Sequence, residues 1–258
     1  MLLIDSHSHL FSEEFDEDRA AVIHRAGEAG IGYHIMPNID SSTTGRMLEV
    51  SQRFPQCFPL MGLHPTSVKL NFEDELLHVE GMLQKHKFYG IGEIGIDLYW
   101  DKTYIEQQKM AFRHQLKLAK RYRLPVAIHS RNSLDEIFEI VDSEIDADLK
   151  GVFHCFTGTL DQYKHILEYK NFKVGIGGVV TYKNGGVNLL VPQMDLDSIL
   201  LETDSPYLSP VPVRGKRNEG YNLLYVAKSV ASLLELPLLD VAGKTAASAQ
   251  KFFNLPIQ

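Results

Sequence analysis

Two histidines close the first apolar run of the chain. His7 and His9 follow Met1–Ile4, and Asp5 stands two residues before them. Alternate side chains of a β-strand share a face, so Asp5, His7 and His9 are expected to project in the same direction. Neutral imidazoles at this spacing can bind one divalent metal ion from a single strand end. The metal interpretation gains force because the chain repeats this pattern.

Metal-ligand residue types also close five later apolar runs, at His64, Glu93, His129, His154 and the pair Glu202 and Asp204. Mixed imidazole and carboxylate ligands suit zinc, manganese, iron or nickel better than calcium, and magnesium where carboxylate and water dominate. Even without His64 and Glu202, the remaining four histidines and two carboxylates are too many ligands for one tetrahedral site and suit two ions that share a carboxylate. Water bound to such ions becomes a nucleophile near neutral pH, which indicates a hydrolase.

Eight short apolar runs are expected to be the strands that position these side chains. They are residues 1–5, 32–37, 57–62, 89–94, 125–128, 151–153, 173–177 and 198–201. Near-continuous apolar runs are typical of strands buried on both faces of a parallel sheet. The first strand is not followed by a glycine-rich phosphate loop, and polar residues follow many strands. The pattern therefore favours a (β/α)8 TIM barrel with the metal site at the C-terminal strand ends over an open sheet.

Helical patterns fill the intervals between the runs. The first helix is expected over residues 13–29, and Thr103 and Ser133 are expected to begin later helices as capping boxes. The alternation of strands and helices continues without a linker or low-complexity tract. The sequence therefore predicts one α/β hydrolase domain over residues 1–258.

Composition limits the function classes that fit the chain. The 258 residues are 44% hydrophobic, enough for a large core, and the two cysteines form no disulfide framework. The formal net charge of −7 argues against a broad nucleic-acid groove but allows a substrate held at one metal site. Charged residues begin too early for a signal peptide, and no apolar stretch is long enough for a membrane helix. We expect a cytoplasmic protein that acts without a membrane, as a monomer.

The motifs resemble those of the TatD family of metal-dependent deoxyribonucleases over essentially the whole chain. The matching segments are DSHSHL at 5–10, GLHP at 62–65, GEIGID at 92–97, IHSR at 128–131, HCFTG at 154–158, GIGG at 175–178, LETDSPYL at 201–208 and RGKRNE at 214–219. The last two are the most specific. The resemblance implies a (β/α)8 barrel whose two divalent ions (Mg, Mn or Zn) serve phosphodiester hydrolysis, with DNA ends or single strands as the substrate.

Carried over by position, the resemblance assigns roles to the strand-end residues. His7, His9 and Asp204 would hold one metal ion, His129 and His154 the second, and Glu93 would bridge them. The expected catalytic residues are Asp204 and Glu93. Asp204 is also the natural general base, since a carboxylate beside a bound water can accept its proton. His64 and Glu202 would assist the ligands, because carboxylates behind a ligating imidazole orient it.

A basic loop after the last strand is expected to contact the substrate. Arg214, Lys216 and Arg217 lie there, and Arg131 is a further candidate for binding phosphate. The chain departs from the family pattern where proline usually follows the basic run, at Gly220. This departure lies outside the candidate ligand set and concerns the loop expected to contact the substrate.

Two other functions stay open at this stage. One is an amide- or ester-hydrolysing barrel, such as an aminoacyl-tRNA deacylase. Relatives of that kind often bridge their metals with a modified lysine where this chain has Glu93. The other is a non-enzymatic binding protein on a retained barrel, which a complete ligand set argues against.

Overall fold

The computed structural model describes residues 1–257 and alternates strands with helices along that range. The eight strands there are β1 Leu3–Asp5, β2 Ile31–Pro37, β3 Cys57–Leu60, β4 Ile91–Asp97, β5 Val126–Arg131, β6 Gly151–Phe153, β7 Phe172–Ile176 and β8 Ile199–Leu201. The α-helices are α1 Arg19–Glu28, α2 Ser41–Arg53, α3 Phe72–Lys85, α4 Ile105–Tyr122, α5 Leu134–Glu144, α6 Leu160–Glu168, α7 Val187–Leu190, α8 Leu223–Leu233 and α9 Leu238–Phe253.

Every strand pairing is parallel, and the strands form two sheets in chain order. One sheet is β1-β2-β3 and the other is β4-β5-β6-β7-β8. Backbone hydrogen bonds join the sheets at both edges. The amide of Met61 donates to the carbonyl of Gly90 (3.1 Å), and the amide of Asp204 donates to the carbonyl of His7 (2.9 Å). The expected α/β class with parallel strands is confirmed.

The core lies between the strands and the surrounding helices. All residues of β3, β4, β6 and β8 are buried, as their continuous apolar runs predict. Helix α3 buries Leu76, Val79 and Leu83 on one face, and each such side chain contributes about 1.5–3 kcal/mol. None of the helices within residues 1–257 has the length and apolarity needed to cross a membrane.

The first helix is shorter than the sequence predicts. It begins at Arg19, and a separate 3-10 helix covers Glu13–Phe15. The Arg19 side chain donates to the carbonyls of Leu10 (2.7 Å) and Ser12 (3.0 Å). These bonds hold residues 10–12 as a loop close to the end of β1. A continuous helix over residues 13–29 would not place Arg19 to make them.

The two expected capping boxes are also wrong. Helix α4 begins at Ile105 without a side-chain cap, and the amide of Thr103 donates to a carboxylate oxygen of Asp101 instead (2.8 Å). Ser133 precedes α5, but its hydroxyl donates to the carbonyl of Ile96 (2.6 Å). A tertiary hydrogen bond between neighbouring strand ends has replaced the local one.

Candidate metal centre

Glu93, on β4, lies at the centre of the expected ligands. Its Oε2 lies 3.1 Å from His7 Nε2 and 3.5 Å from His9 Nε2. Its Oε1 lies 2.9 Å from His129 Nδ1 and 3.2 Å from His154 Nε2. One carboxylate therefore faces two histidine pairs, one with each oxygen.

Asp204 completes the first of these groups. Its Oδ1 lies 3.5 Å from His9 Nε2 and 3.7 Å from His7 Nε2. The loop that carries it is held by buried Asn218, whose amide donates to the carbonyl of Thr203 (2.8 Å). The structure thus brings together all six residues that the sequence proposes as ligands.

His64 lies as close to the centre as several of those six. Its Nε2 is 3.4 Å from Glu93 Oε1, and its ring meets that of His129 edge-on at 4.6 Å. Its Nδ1 is bonded to the hydroxyl of Thr66 at 2.7 Å, which fixes the ring orientation. His64, Glu93 and His129 form one of three groups with spacing suited to a metal ion; the others are His7, His9, Asp204 and His7, His154, Glu202.

Two carboxylates contact the candidate ligands from behind. Glu202 Oε1 lies 3.2 Å from His154 Nδ1, in the position expected of a helper. Asp97 Oδ2 lies 2.8 Å from His129 Nε2 in the same way. Sequence reasoning missed this role of Asp97. The signal was available, because residues four apart on a strand share a face and Asp97 ends β4 four residues after Glu93.

The electrostatics of the centre favour ionised carboxylates. Burial raises the pKa of Glu93, but facing imidazoles, among them His64 and His154, hold it well below its usual range. The pKa of Asp204 is lowered in the same sense: burial raises it, and contact with His9 outweighs that effect. For His9 itself, burial lowers the pKa, but Asp204 and Glu93 raise it to about 9.

These residues fit a bound cation. Glu93 is 2% exposed, and neither Glu93 nor Asp204 forms a salt bridge with any lysine or arginine among residues 1–257. Buried carboxylates need a partner of opposite charge, and the atoms that face them are imidazole nitrogens, which bind divalent metals when neutral. A divalent cation between these atoms would satisfy both groups.

The four basic side chains expected to bind substrate have different surroundings. Arg217 is engaged within the protein: its guanidinium contacts both carboxylate oxygens of Asp18 at 2.8 Å and Glu219 at 2.9 Å. Arg214 stacks over the ring of Tyr182, with 4.3 Å between its Cζ and the ring centroid. Arg131 stacks on aromatic rings beside the centre, and Lys216 is exposed.

Gly220, where the family pattern has proline, packs against β2. A Cβ atom at this position would lie 2.6 Å from Cε1 of His34. His34 is 1% exposed, and both of its ring nitrogens lack a hydrogen-bond partner within residues 1–257. The bare backbone at Gly220 provides the space that the imidazole occupies.

Comparison with known proteins finds relatives named as metal-dependent hydrolases and nucleases. The family model described as "TatD related DNase" matches residues 4–254. YabD of Bacillus subtilis, named as a metal-dependent hydrolase, is 33% identical over 98% of this chain and 100% of its own length. A protein of Erwinia tasmaniensis named 3'-5' ssDNA/RNA exonuclease TatD is 30% identical over 98% of this chain and 100% of its length.

The fold agrees with a crystal structure of similar length. YjjV of Escherichia coli, described as a TatD homologue, superposes with a TM-score of 0.93 at 30% identity and covers 98% of both chains. The family model and these relatives span nearly all of the sequence. The chain therefore belongs to the TatD related DNase family of metal-dependent hydrolases.

Proposed function

We propose that this protein is a deoxyribonuclease that hydrolyses phosphodiester bonds with two divalent metal ions, Mg, Mn or Zn. The observation that carries the proposal is the position of Glu93, whose two carboxylate oxygens each face a separate pair of imidazoles. A carboxylate shared in this way is typical of two-metal hydrolytic sites. One chain supplies every candidate ligand, so a monomer suffices.

The scaffold of the proposal is a single domain that closes as a (β/α)8 barrel. The hydrogen bonds from Met61 to Gly90 and from Asp204 to His7 join the two sheets at both of their free edges. Closure of eight parallel strands brings all C-terminal ends to one mouth. Barrel closure would explain why side chains at the ends of β1, β4 and β5 and at the residues after β6 and β8 meet around Glu93.

We assign the ligands by the atoms that each oxygen of Glu93 faces. His7, His9 and Asp204 would hold one ion, and His129 and His154 the other. His64 is near enough to assist the second group. Bound divalent ions lower the pKa of water and polarise a phosphoryl oxygen.

Asp204 is the proposed general base. Its lowered pKa keeps it ionised at neutral pH, so its carboxylate is able to accept a proton. Its side chain is 14% exposed and is therefore open to the solvent side of the centre, whereas Glu93 is enclosed. Asp204 thus combines a ligand position with access to a water molecule and a substrate.

The substrate assignment to nucleic acid rests on the relatives and on local charge. Relatives are named 3'-5' ssDNA/RNA exonucleases. Arg131 at the end of β5, and Arg214 and Lys216 in the loop that follows β8, add positive charge to an otherwise acidic protein and suit a phosphate. We infer that the enzyme acts on single strands or ends of DNA.

The test uses end-labelled single-stranded DNA and RNA with Mg²⁺, Mn²⁺ or Zn²⁺, with and without chelator. We expect metal-dependent shortening by the wild type, and a loss of at least about 100-fold in Asp204→Asn. Asp148→Asn, at an exposed loop position, is the matched control and should retain full activity. Full activity of Asp204→Asn, or faster hydrolysis of amides and esters than of DNA, would contradict the proposal.

A further inference from the structure

Two large aromatic side chains lie exposed directly after β4. Tyr99 is 53% exposed and Trp100 is 69% exposed. Their rings meet edge-on, with centroids 4.9 Å apart and an interplanar angle of 88°. Aromatic rings of this size are usually buried to a large extent, so adjacent exposed ones indicate a binding surface.

Asp97 connects this aromatic pair to the candidate metal centre. Its Oδ1 accepts hydrogen bonds from the backbone amides of Tyr99 (2.9 Å) and Trp100 (3.1 Å). Its Oδ2 contacts His129 Nε2 at 2.8 Å. A single carboxylate thus fixes both the start of the aromatic loop and the orientation of a candidate ligand.

Arg131 adds a positive charge to the same surface. Its Cζ lies 3.8 Å from the ring centroid of Tyr99 and 5.3 Å from that of Trp100. It follows His129 by two residues on β5, and it forms no salt bridge with a carboxylate in the range 1–257. The guanidinium therefore stacks on a ring while its N–H groups are available to an anion.

We propose that Trp100, Tyr99 and Arg131 form a subsite in which Trp100 stacks an unpaired base of the nucleic acid strand and Arg131, held against the ring of Tyr99, pairs with the neighbouring phosphate. The inference rests on the proposed function, and it assigns the preference for single-stranded substrate to this subsite. A base offers its flat face to an aromatic ring only when it is free of its duplex neighbours, and such stacking is independent of base identity. Charge favours this occupant, because Arg131 complements a phosphate.

The first experiment needs no catalysis. Trp100 is the only tryptophan of the chain, so intrinsic tryptophan fluorescence reports on this surface alone. Single-stranded oligonucleotide is titrated into the protein with chelator present to prevent cleavage. We expect saturable quenching, and weaker quenching by an oligonucleotide of the same length made of abasic residues. Unchanged fluorescence at oligonucleotide concentrations that saturate binding by anisotropy would overturn the inference.

The second experiment separates this subsite from the metal chemistry. Trp100→Ala should raise KM for single-stranded DNA about tenfold with little change in kcat. Trp100→Phe should restore most of that loss, because it keeps a flat ring. On a substrate with abasic residues at and beside the cleaved position, wild type and Trp100→Ala should be equal. Leu77→Ala, whose side chain is 67% exposed on α3, is the control and should match the wild type.

The outcomes distinguish this inference from the proposed function. Quenching without metal-dependent cleavage by the wild type would retain the subsite and remove the nuclease assignment. Cleavage by the wild type with equal KM for Trp100→Ala would remove the subsite alone. Emission that shifts with protein concentration in the absence of nucleic acid would assign the surface to contact between two copies of the chain and overturn the inference.

Discussion

At the scale of single residues, Asp97 decides which nitrogen of His129 is free. With a cation at the centre, the Asp97 carboxylate would accept a hydrogen bond from the N–H at His129 Nε2, so Nδ1, the atom that faces Glu93, would be left with its lone pair to bind the metal. A histidine can ligate metal only through an unprotonated nitrogen. Asp97 therefore acts as a positioning residue for the second candidate ion.

The change Asp97→Asn tests this role. The amide group would donate to Nε2 and reverse the tautomer, while its oxygen still accepts from the backbone of the following loop. We expect metal affinity to fall about 10–100-fold, with activity restored in part at high metal concentration. Asp101→Asn, at a residue of the same loop that pairs with Lys69 on the surface, is the control. Equal metal affinity of Asp97→Asn and wild type would contradict the assignment.

Protonated candidate ligands, His9 among them, set the pH dependence of metal binding: burial lowers the pKa values of His129 and His154, but the carboxylates that face them raise these values as well. In the metal-free protein the pKa of His9 is about 9, so His9 carries a proton at pH 7 that a metal ion must displace. Binding should therefore release a proton at pH 7, and apparent affinity should rise with pH until about pH 9. Calorimetry in buffers of different ionisation enthalpy measures the release. An affinity that is flat between pH 6 and 9 would contradict ligation by these histidines.

Much of the site was predictable from residue types at strand ends. His7, His9, Glu93, His129, His154 and Asp204 were all identified this way, because parallel strand ends meet at one edge. The ion pair between Arg217 and Asp18 was not predictable, since Asp18 lies near the other end of the chain. Ion pairs of this kind depend on tertiary structure, and a basic run in a sequence does not reveal them.

At the scale of elements, a glycine of β7 provides the space for Glu202. A Cβ atom on Gly175 would lie 2.1 Å from Glu202 Oε2. That oxygen belongs to the end of a side chain, so the carboxylate would have to move while the strand remained. Glu202 also accepts from His154 Nδ1 and from the amide of Cys155 (2.5 Å), and displacement would break both contacts.

We therefore expect Gly175→Ala to lower metal affinity about tenfold while the protein still folds. Gly81→Ala, at a position inside α3 where a Cβ meets nothing within 4 Å, is the matched control. It should raise the free energy of unfolding by up to about 1 kcal/mol without changing activity. Metal titration and chemical denaturation of both variants give the measurements. Unchanged affinity in Gly175→Ala would show that Glu202 does not orient His154.

The strands were easier to predict than their ends and the helix starts. Every expected apolar run overlaps an observed strand, but β4 continues to Asp97 and β5 to Arg131. Polar residues at the end of a buried strand carry no apolar signal, although backbone pairing continues through them. The sequence also predicts Ser133 as a helix cap, because a local pattern does not reveal a tertiary partner. Its hydroxyl instead donates to the carbonyl of Ile96 on β4.

At the scale of the whole molecule, β1 and β8 depend on buried Asp5. Its carboxylate accepts from the amide of Thr203 (2.9 Å) and from its hydroxyl (2.6 Å). Hydrogen bonds to a buried charged group are worth about 1.5–3 kcal/mol each. These two hydrogen bonds join the first strand to the last, so the loss of either bond should lower the stability of the whole fold.

If the chain is the single closed domain proposed above, it should unfold in one step. We expect one calorimetric transition in the metal-free protein, with calorimetric and van't Hoff enthalpies equal. Asp5→Ala should lower the midpoint and preserve that single transition, because the hydrogen bonds between Asp5 and Thr203 join the first strand to the last within the proposed domain. Two separate transitions in the wild type would contradict one domain.

The contact between Gly220 and His34 links positions that lie far apart in the chain. A side chain at position 220 would compete with the His34 imidazole for one volume. The two positions are therefore expected to change together: relatives with proline at the first should carry a small aliphatic residue at the second. Gly220→Pro alone should destabilise the fold, and His34→Val added to it should recover stability in thermal melts. Equal melting temperatures for the single and double variants would show that the residues at positions 34 and 220 do not constrain each other.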